Sequence, residues 1–381
     1  MGGSYLRRPL RILHIVAGMN RGGVETWLMH LLRSVDREQY QMDFLVHTTK
    51  PCAFDAEIRS LGSRIIPCLN PSRPWQYVPK LRGILRQDGP YDVVHSHIHH
   101  FSGVTLWAAA LEGVPVRIAH SHSDTRREKA ASPLGRRAYL KMMKGAISRY
   151  ASVKIGCSRA AGAALFGEDW LHDNRHRLVY CGIDVKPFRQ ELDPEKVRRE
   201  LAIPTNAFVI GHVGRFTPAK NHKYIIDIAA ELLSWTRDAH FLLVGDGSLR
   251  LSIQKEIASR GLMDHFTLTG ARDDIPRLMM NAMDIMIMPS LYEGLPLVGI
   301  EAQASGLPLI VSDNVTPEVD VIHSNIRRLP LSGGPQTWAS EICLLRSHQR
   351  IPVEDAVGAI RSSSFDIRSS VAQITSIYRG K

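Results

Sequence analysis

The sequence contains no run of roughly 18 apolar residues, the length that a bilayer-spanning helix needs, and no signal-like apolar segment follows its start. It also lacks a C-x-x-C pair. Its five cysteines (Cys52, Cys68, Cys157, Cys181 and Cys343) are odd in number and widely spaced, which argues against a disulfide framework or a structural metal. A reduced cytosolic chain is the expectation. There is no Walker lysine loop, which argues against ATP chemistry, and no dinucleotide Gly-x-Gly-x-x-Gly fingerprint. Zinc-finger, RNP-type and basic-zipper patterns are missing as well, so nucleic acid is not the expected partner. Acidic residues are in deficit, 37 against 48 Lys and Arg, giving a net charge of +11. Such an excess calls for an anionic partner, with a nucleotide-sugar and an anionic membrane face as the remaining candidates.

What is present is ordinary for a globular protein: 44% hydrophobic and 22% charged residues over 381 positions, enough for two domains with their own cores. Strand-like and helix-like segments alternate through short links. Arg11 to Ala17, Met42 to His47, Tyr91 to His95 and Val114 to Ala119 read as strands, with helical patterns such as Thr26 to Leu32 and Val104 to Glu112 between them. Such alternation predicts a parallel sheet with helices on both faces. The pattern pauses at Pro187, Pro194 and Pro204, placing a linker at 182–190 and a second α/β domain beyond it.

In that second half, the apolar run Ile285 to Met288 predicts a strand buried on both faces. Pro289, Ser290, Gly294 and Pro296 punctuate the loop that follows, and a helix is expected from about Leu297, with Pro296 preset for its first position, to Gly306. Glu293 then lies on the loop and Glu301 in the helix. Backbone N–H groups of Gly294, Leu295, Leu297 and Val298, with the positive helix end, form an anion site between them. The same residues would equally suit a loop-capped helix with two solvated glutamates. Upstream, Gly214-Arg215-Phe216-Thr217-Pro218-Ala219-Lys220 follows the strand Phe208 to Val213. Arg215 as a fork and Lys220 as a point charge suit a diphosphate, or else are two surface cations.

In the first half, a glycine pair, Gly22-Gly23, links the first strand to a helix, a place where ligand or backbone approaches closely. Histidines gather at two strand ends: His95, His97, His99 and His100, then His120 and His122. No acidic partner stands at matching spacing, so no metal is assigned. Between Arg126 and Lys144, Arg126, Arg127, Lys129, Arg136, Arg137, Lys141 and Lys144 flank Leu134, Tyr139, Leu140, Met142 and Met143. That stripe suits either an anionic bilayer surface or a half-buried helix.

The stretch Tyr292-Glu-Gly-Leu-Pro with Glu301-Ala-Gln-Ala-Ser-Gly-Leu-Pro, seven residues between its glutamates, resembles the donor-site signature of retaining glycosyltransferases of family 4. The Gly214-Arg215…Lys220-Asn221 loop and Cys181-Gly-Ile-Asp, with cysteine where the family usually has asparagine, are similar to further parts of that family, in particular to members that build capsular and exopolysaccharides. The resemblance runs from Leu10 to about Asp320. It implies the GT-B fold: two doubly wound Rossmann-like domains facing across a cleft, an acceptor domain at 1–185 and a nucleotide-sugar domain at 186–361, with the segment 362–381 crossing back onto the first. It implies a nucleotide-sugar donor, expected to be a UDP-sugar, and a saccharide or polyprenyl-linked acceptor. The expected place is the cytoplasm, peripheral at the inner membrane face if the acceptor is lipid-linked. Arg215, Lys220 and the helix end would take the leaving charge with no metal or other cofactor. Glu293 would hold sugar hydroxyls, Glu301 the ribose, and His120 the sugar near its reacting carbon. Gly22 and Gly23 would lie by the phosphates or acceptor, His95 and His97 would shape the acceptor side, and Gly245, Gly270 and Arg272 would lie near the base. A nucleotide-sugar epimerase of the same fold and a non-catalytic polyanion-binding protein are the rival expectations.

Overall fold

The computed structural model describes residues 8–126, 133–189 and 193–380. It divides into two compact units, Met1–Gly182 with Ile367–Lys381, and Ile183–Asp366. The sequence reading put this boundary three residues later. Arg127 and Lys129 of the basic stretch lie outside the described residues.

In the first unit the elements are β1 (Leu10–Val16), α1 (Gly23–Ser34), β2 (Tyr40–Val46), α2 (Asp55–Ser60), β3 (Ile65–Pro67), α3 (Pro74–Gln87), β4 (Val93–Ser96), α4 (Ser102–Leu111), β5 (Val116–Ser121), α5 (Leu134–Tyr150), β6 (Val153–Gly156), α6 (Arg159–Phe166) and β7 (His176–Leu178). Seven strands form one sheet in the order β3-β2-β1-β4-β5-β6-β7, and the pairing is parallel. Helices cover both faces, so Ile12, Leu13, Ile15 and Val94 have no exposed surface. Ser158 caps α6 as its residue type predicts, its hydroxyl accepting the Ala161 N–H at 3.0 Å. Helix α1 begins at Gly23, three residues before Thr26, where periodicity placed its start, because the first helical bond runs from the Thr26 N–H to the Gly22 carbonyl at 2.8 Å. The C-terminal helix, Ile367–Tyr378, belongs to this unit. The Ser370 hydroxyl accepts the Gly182 N–H at 2.8 Å and donates to the Tyr180 carbonyl at 2.6 Å, tying the helix to the end of the unit's main chain segment.

The second unit runs α7 (Pro194–Glu200), β8 (Phe208–Val213), α8 (His222–Trp235), β9 (Ala239–Val244), α9 (Arg250–Ser259), β10 (Phe266–Gly270), α10 (Ile275–Asn281), β11 (Ile285–Met288), α11 (Leu297–Ala304), β12 (Leu309–Ser312), β13 (Ile326–Leu329), α12 (Gly334–Leu345) and α13 (Val353–Arg361). Its six-stranded parallel sheet has the order β10-β9-β8-β11-β12-β13. In both sheets the strand order reverses beside the first strand, at β1/β4 and at β8/β11. Loops leaving those two strands in opposite directions open a crevice at the carboxyl ends, where doubly wound sheets bind ligands.

Candidate active site

The β8/β11 switch point gathers the loops singled out from the sequence. The Asn221 amide donates to the Pro289 carbonyl at 3.1 Å and the Leu291 N–H to the Ala219 carbonyl at 2.8 Å, stitching the Gly214–Asn221 loop to the loop after β11. Asn221 sits in the left-handed region at φ 55°, tolerable for asparagine, and starts α8. Gly214 must be close to glycine 245: a Cβ at Gly245 would lie 2.0 Å from the Gly214 carbonyl oxygen, and Gly245 has φ 143°. The Gly245 N–H in turn donates to the Gly270 carbonyl at 2.9 Å, so Gly214, Gly245 and Gly270 line three adjacent strand ends.

Two of the predicted residues meet directly. Lys220 Nζ lies 2.5 Å from Glu293 Oε1, and the Ser290 hydroxyl donates to the same oxygen at 2.7 Å. Ser290 is itself held, its carbonyl accepting the Ser312 hydroxyl at 2.6 Å. Both charges are largely withdrawn from water, at 18% and 10% side-chain exposure, so loss of one would leave the other uncompensated. Arg215 is exposed and forms no ion pair among the described residues. Its fork remains available to an incoming anion.

Glu301 stands apart. Its side chain is half-buried, with no hydrogen bond or ion pair to any described residue. Loss of water pushes its carboxyl up to about 7. A carboxylate held without a partner is free to accept hydroxyls from a ligand. It rides on α11, whose other face is locked: the Gln303 amide donates to the Gly299 and Val319 carbonyls at 2.9 and 2.8 Å, and its oxygen accepts the Val321 and Ile322 N–H groups at 3.0 and 2.8 Å. Gln303 was not singled out from the sequence; a glutamine on a buried helix face between small residues was the available signal.

The helix start differs slightly from expectation. Pro296 is the N-cap, at φ −77° and ψ 99°, not the first helical residue. Having no N–H, it donates nothing. The N–H groups of Leu295, Leu297 and Val298 donate to no acceptor among the described residues, as the first turn of a helix leaves them. Arg272 is corrected in role. Its Nε and Nη2 donate to the two Asp274 carboxylate oxygens at 2.8 and 2.7 Å, so this edge of the guanidinium braces the start of α10 and is not presented to a base. His212 and His222 went unremarked in the sequence. Burial lowers them to about 4 and about 2, and His222 stacks on Phe216 at 4.0 Å, backing the Arg215 loop with neutral rings.

The β1/β4 switch point of the first unit has opposite chemistry. Gly22 and Gly23 form the turn into α1; Gly22 is extended and a Cβ on Gly23 would meet nothing within 4 Å, so neither is forced by strain. The histidines converge with His14 on one sheet face. His14 pairs across the sheet with His95, and His120 lies one strand further. His95 Nε2 is 3.1 Å from His120 Nδ1, and its Nδ1 is 2.8 Å from the Tyr378 hydroxyl on the C-terminal helix. His14 Nδ1 is 3.0 Å from His97 Nε2, and His97 Nδ1 is 2.9 Å from His122 Nε2. Burial drives His14 to about 3 and His95, His97 and His120 well below the ordinary range, so the rings are neutral. His120 corrects the sequence reading. Its ring has 0% exposure, edge-on to Trp27 at 5.3 Å, so it reaches no surface at which a sugar could touch it.

Beside this stack, a cavity of about 500 Å³ is lined by Ile98, His99, Phe101, Thr125, Arg136 and Tyr139. Helix α5, which supplies two of these residues, buries only Met143 and Ile147 and leaves Leu134 and Met142 81% and 61% exposed. No helix among the described residues is long and apolar enough to cross a membrane.

Comparison with known proteins decides the family. The model described as Glycosyltransferase Family 4 matches residues 21–186, and that for Glycosyl transferases group 1 matches residues 193–342. A putative glycosyltransferase EpsF of Bacillus subtilis is 36% identical over 97% of this chain and 96% of its own. The chain belongs to glycosyltransferase family 4. This glycosyltransferase is also similar to the capsular polysaccharide biosynthesis glycosyltransferase CapH of Staphylococcus aureus, 25% identical over 98% of this chain and 99% of that one. Among solved structures, Anabaena HepE in complex with UDP-glucose superposes with a TM-score of 0.80 at 21% identity, over 98% of this chain and 100% of the other. The two Rossmann-like domains are therefore those of the GT-B fold.

Proposed function

We propose that this glycosyltransferase moves a sugar, with retention, from a UDP-sugar to a saccharide or polyprenyl-linked saccharide in the assembly of a surface polysaccharide. The observation that carries the donor reading is the β8/β11 switch point, where two stitched loops and the helix α11 that follows the second bring together Arg215, the Lys220–Glu293 pair, unpartnered Glu301 and the orphan N–H groups of Leu295, Leu297 and Val298. Relatives support the pathway: CapH serves capsular polysaccharide, and an Escherichia coli relative, 25% identical over 80% of this chain, is a UDP-galactose:GlcNAc-diphosphoundecaprenol galactosyltransferase.

The leaving diphosphate brings negative charge to Arg215, to Lys220 and to the start of α11. Fixed cations and N–H dipoles stabilise that charge as it develops, so no divalent ion is required at the phosphates. Binding draws Lys220 from Glu293 toward phosphate, and Glu293 turns to the sugar hydroxyls. Glu301, ionised above about pH 7, accepts the ribose hydroxyls. The site offers no evident covalent nucleophile, so the acceptor attacks from the face the diphosphate leaves. His120 is not assigned to the sugar. On the acceptor side, the exposed Leu134 and Met142 beside Arg136, Arg137 and Lys141 suit an anionic membrane carrying a lipid-linked acceptor.

A thermal-shift screen of nucleotide-sugars, followed by transfer assays on the hits, tests this reading. A UDP-sugar should stabilise the protein, and product should need an acceptor. Free sugar or an isomerised donor appearing without acceptor would replace transfer with hydrolysis or epimerisation.

A further inference from the structure

We propose that His97, His120 and His122 form a binding site for one divalent transition ion of the zinc type. Residues two apart at a strand end face the same side, so His95 in β4 with His97 just beyond it, and His120 in β5 with His122 just beyond it, project together. Each of His97, His120 and His122 offers a ring nitrogen within 4.8 Å of those of the other two.

The remaining nitrogens argue for a ligand set rather than an accidental cluster. A metal-bound imidazole holds its orientation by donating its other N–H outward. His97 Nε2 has His14 Nδ1 at 3.0 Å, His120 Nδ1 has His95 Nε2 at 3.1 Å, and His122 Nδ1 has the Cys181 sulfur at 3.9 Å. His95 passes its own Nδ1–H to the Tyr378 oxygen at 2.8 Å. With the outer positions used, His97 Nδ1, His122 Nε2 and His120 Nε2 are left facing inward. The first two are 2.9 Å apart, and His120 Nε2 is buried with no hydrogen-bond partner. Tetrahedral zinc, with bonds of about 2.0–2.1 Å, holds its nitrogens roughly 3.3 Å apart, so the His97–His122 pair opens by only a few tenths of an ångström, and a ring nitrogen of His120 lies within 4.8 Å of both. An ion would also give the orphaned His120 nitrogen the partner that buried polar atoms ordinarily have.

The neighbouring trio, His14, His95 and His97, is the poorer choice. Both His95 nitrogens are engaged there, by Tyr378 and His120, and an ion would break one of those bonds. Imidazole ligands without a carboxylate select zinc, cobalt or nickel over magnesium or calcium. Three protein ligands leave a fourth position for water or a ligand oxygen. His97 and His122 are only partly buried, which gives the ion a way in.

The test uses tag-free full-length protein, stripped by a chelator and titrated with cobalt(II), then with zinc(II) by calorimetry. The wild type should take up one equivalent, with the visible bands of tetrahedral cobalt, and zinc should displace it. His97→Ala and His122→Ala, each shown folded by circular dichroism, should lose roughly a hundredfold or more in affinity. Cys181→Ala should lose on the order of tenfold, and the exposed-residue control His348→Ala should lose nothing. Failure of the wild type to bind a single equivalent would overturn the proposal. So would unchanged binding in a folded His97→Ala, His122→Ala double variant. Neither result depends on the donor site, which is tested by UDP binding.

Discussion

The two switch points of this protein share an architecture and differ in chemistry. At β8/β11 the loops and the helix that follows them carry formal charge: Arg215 exposed, Lys220 on Glu293, and Glu301 of α11 without a partner. At β1/β4 the corresponding position is packed with neutral rings, closed by Trp27 on one side and Tyr378 on another. The difference lies almost wholly in loop and strand-end residues, since both cores are apolar and rich in Ile, Leu, Val and Ala. A doubly wound sheet supplies the crevice, and the residues at its carboxyl edge decide whether that crevice handles a polyanion or neutral groups.

The sharpest way to break this contrast is to remove charge from the first-named edge. Arg215→Ala with Lys220→Ala should reduce transfer by about a thousandfold or more, as two leaving-group stabilisers are lost. A radiochemical transfer assay and a melting curve measure the two consequences; some stability should go too, because Glu293 loses its cation. Activity surviving in that folded variant would move the phosphate site elsewhere. Glu293→Ala should lower turnover of the full donor by about a hundredfold while leaving UDP affinity nearly intact, readable as kcat against the UDP dissociation constant. Equal loss of both would assign Glu293 to the nucleotide.

Glu301 gives a pH test of smaller size. Its carboxyl sits at about 7 in the folded chain, above the ordinary value of roughly 4.3. The folded state therefore binds that proton more tightly, and stability falls as pH rises from about 4.5 to 7. Glu301→Gln should remove this loss and gain on the order of 1–3 kcal/mol at pH 8, with little gain at pH 4. Melting temperatures of both proteins at the two pH values decide it. The smallest effect concerns helix α5. Charge reversal at Arg136, Arg137 and Lys141 should cut binding to anionic vesicles at low salt, by about 1 kcal/mol per residue, with UDP affinity unchanged. Wild type that ignores such vesicles would favour a soluble acceptor.

Much of this was legible in the sequence, for particular reasons. Buried parallel strands show as unbroken apolar runs, so Ile285 to Met288 was found with its observed bounds. Short, half-exposed β7 and β13 carry no such run and were missed. Helix α3 holds two prolines, Pro74 opening it and Pro79 inside it, and local sequence does not tell which starts the helix, since a proline can start a helix or interrupt one. The donor loops were legible from glycine, charge and spacing. Their pairing was not, because Lys220 and Glu293 are 73 residues apart. Nor was the histidine stack: local sequence shows two His-x-His pairs, but His120 is packed against Trp27 and His95 is bonded to Tyr378, 283 residues away.

The central claim is that the nucleotide binds at the charged edge, with its ribose on Glu301. Calorimetric titration of UDP into the wild type and Glu301→Ala at pH 8 tests it most directly. The account predicts binding by the wild type and a loss of about 1.5–3 kcal/mol in the variant, roughly ten- to hundredfold in affinity, because a charge-assisted acceptor is gone. UDP binding equally well to both proteins would contradict it.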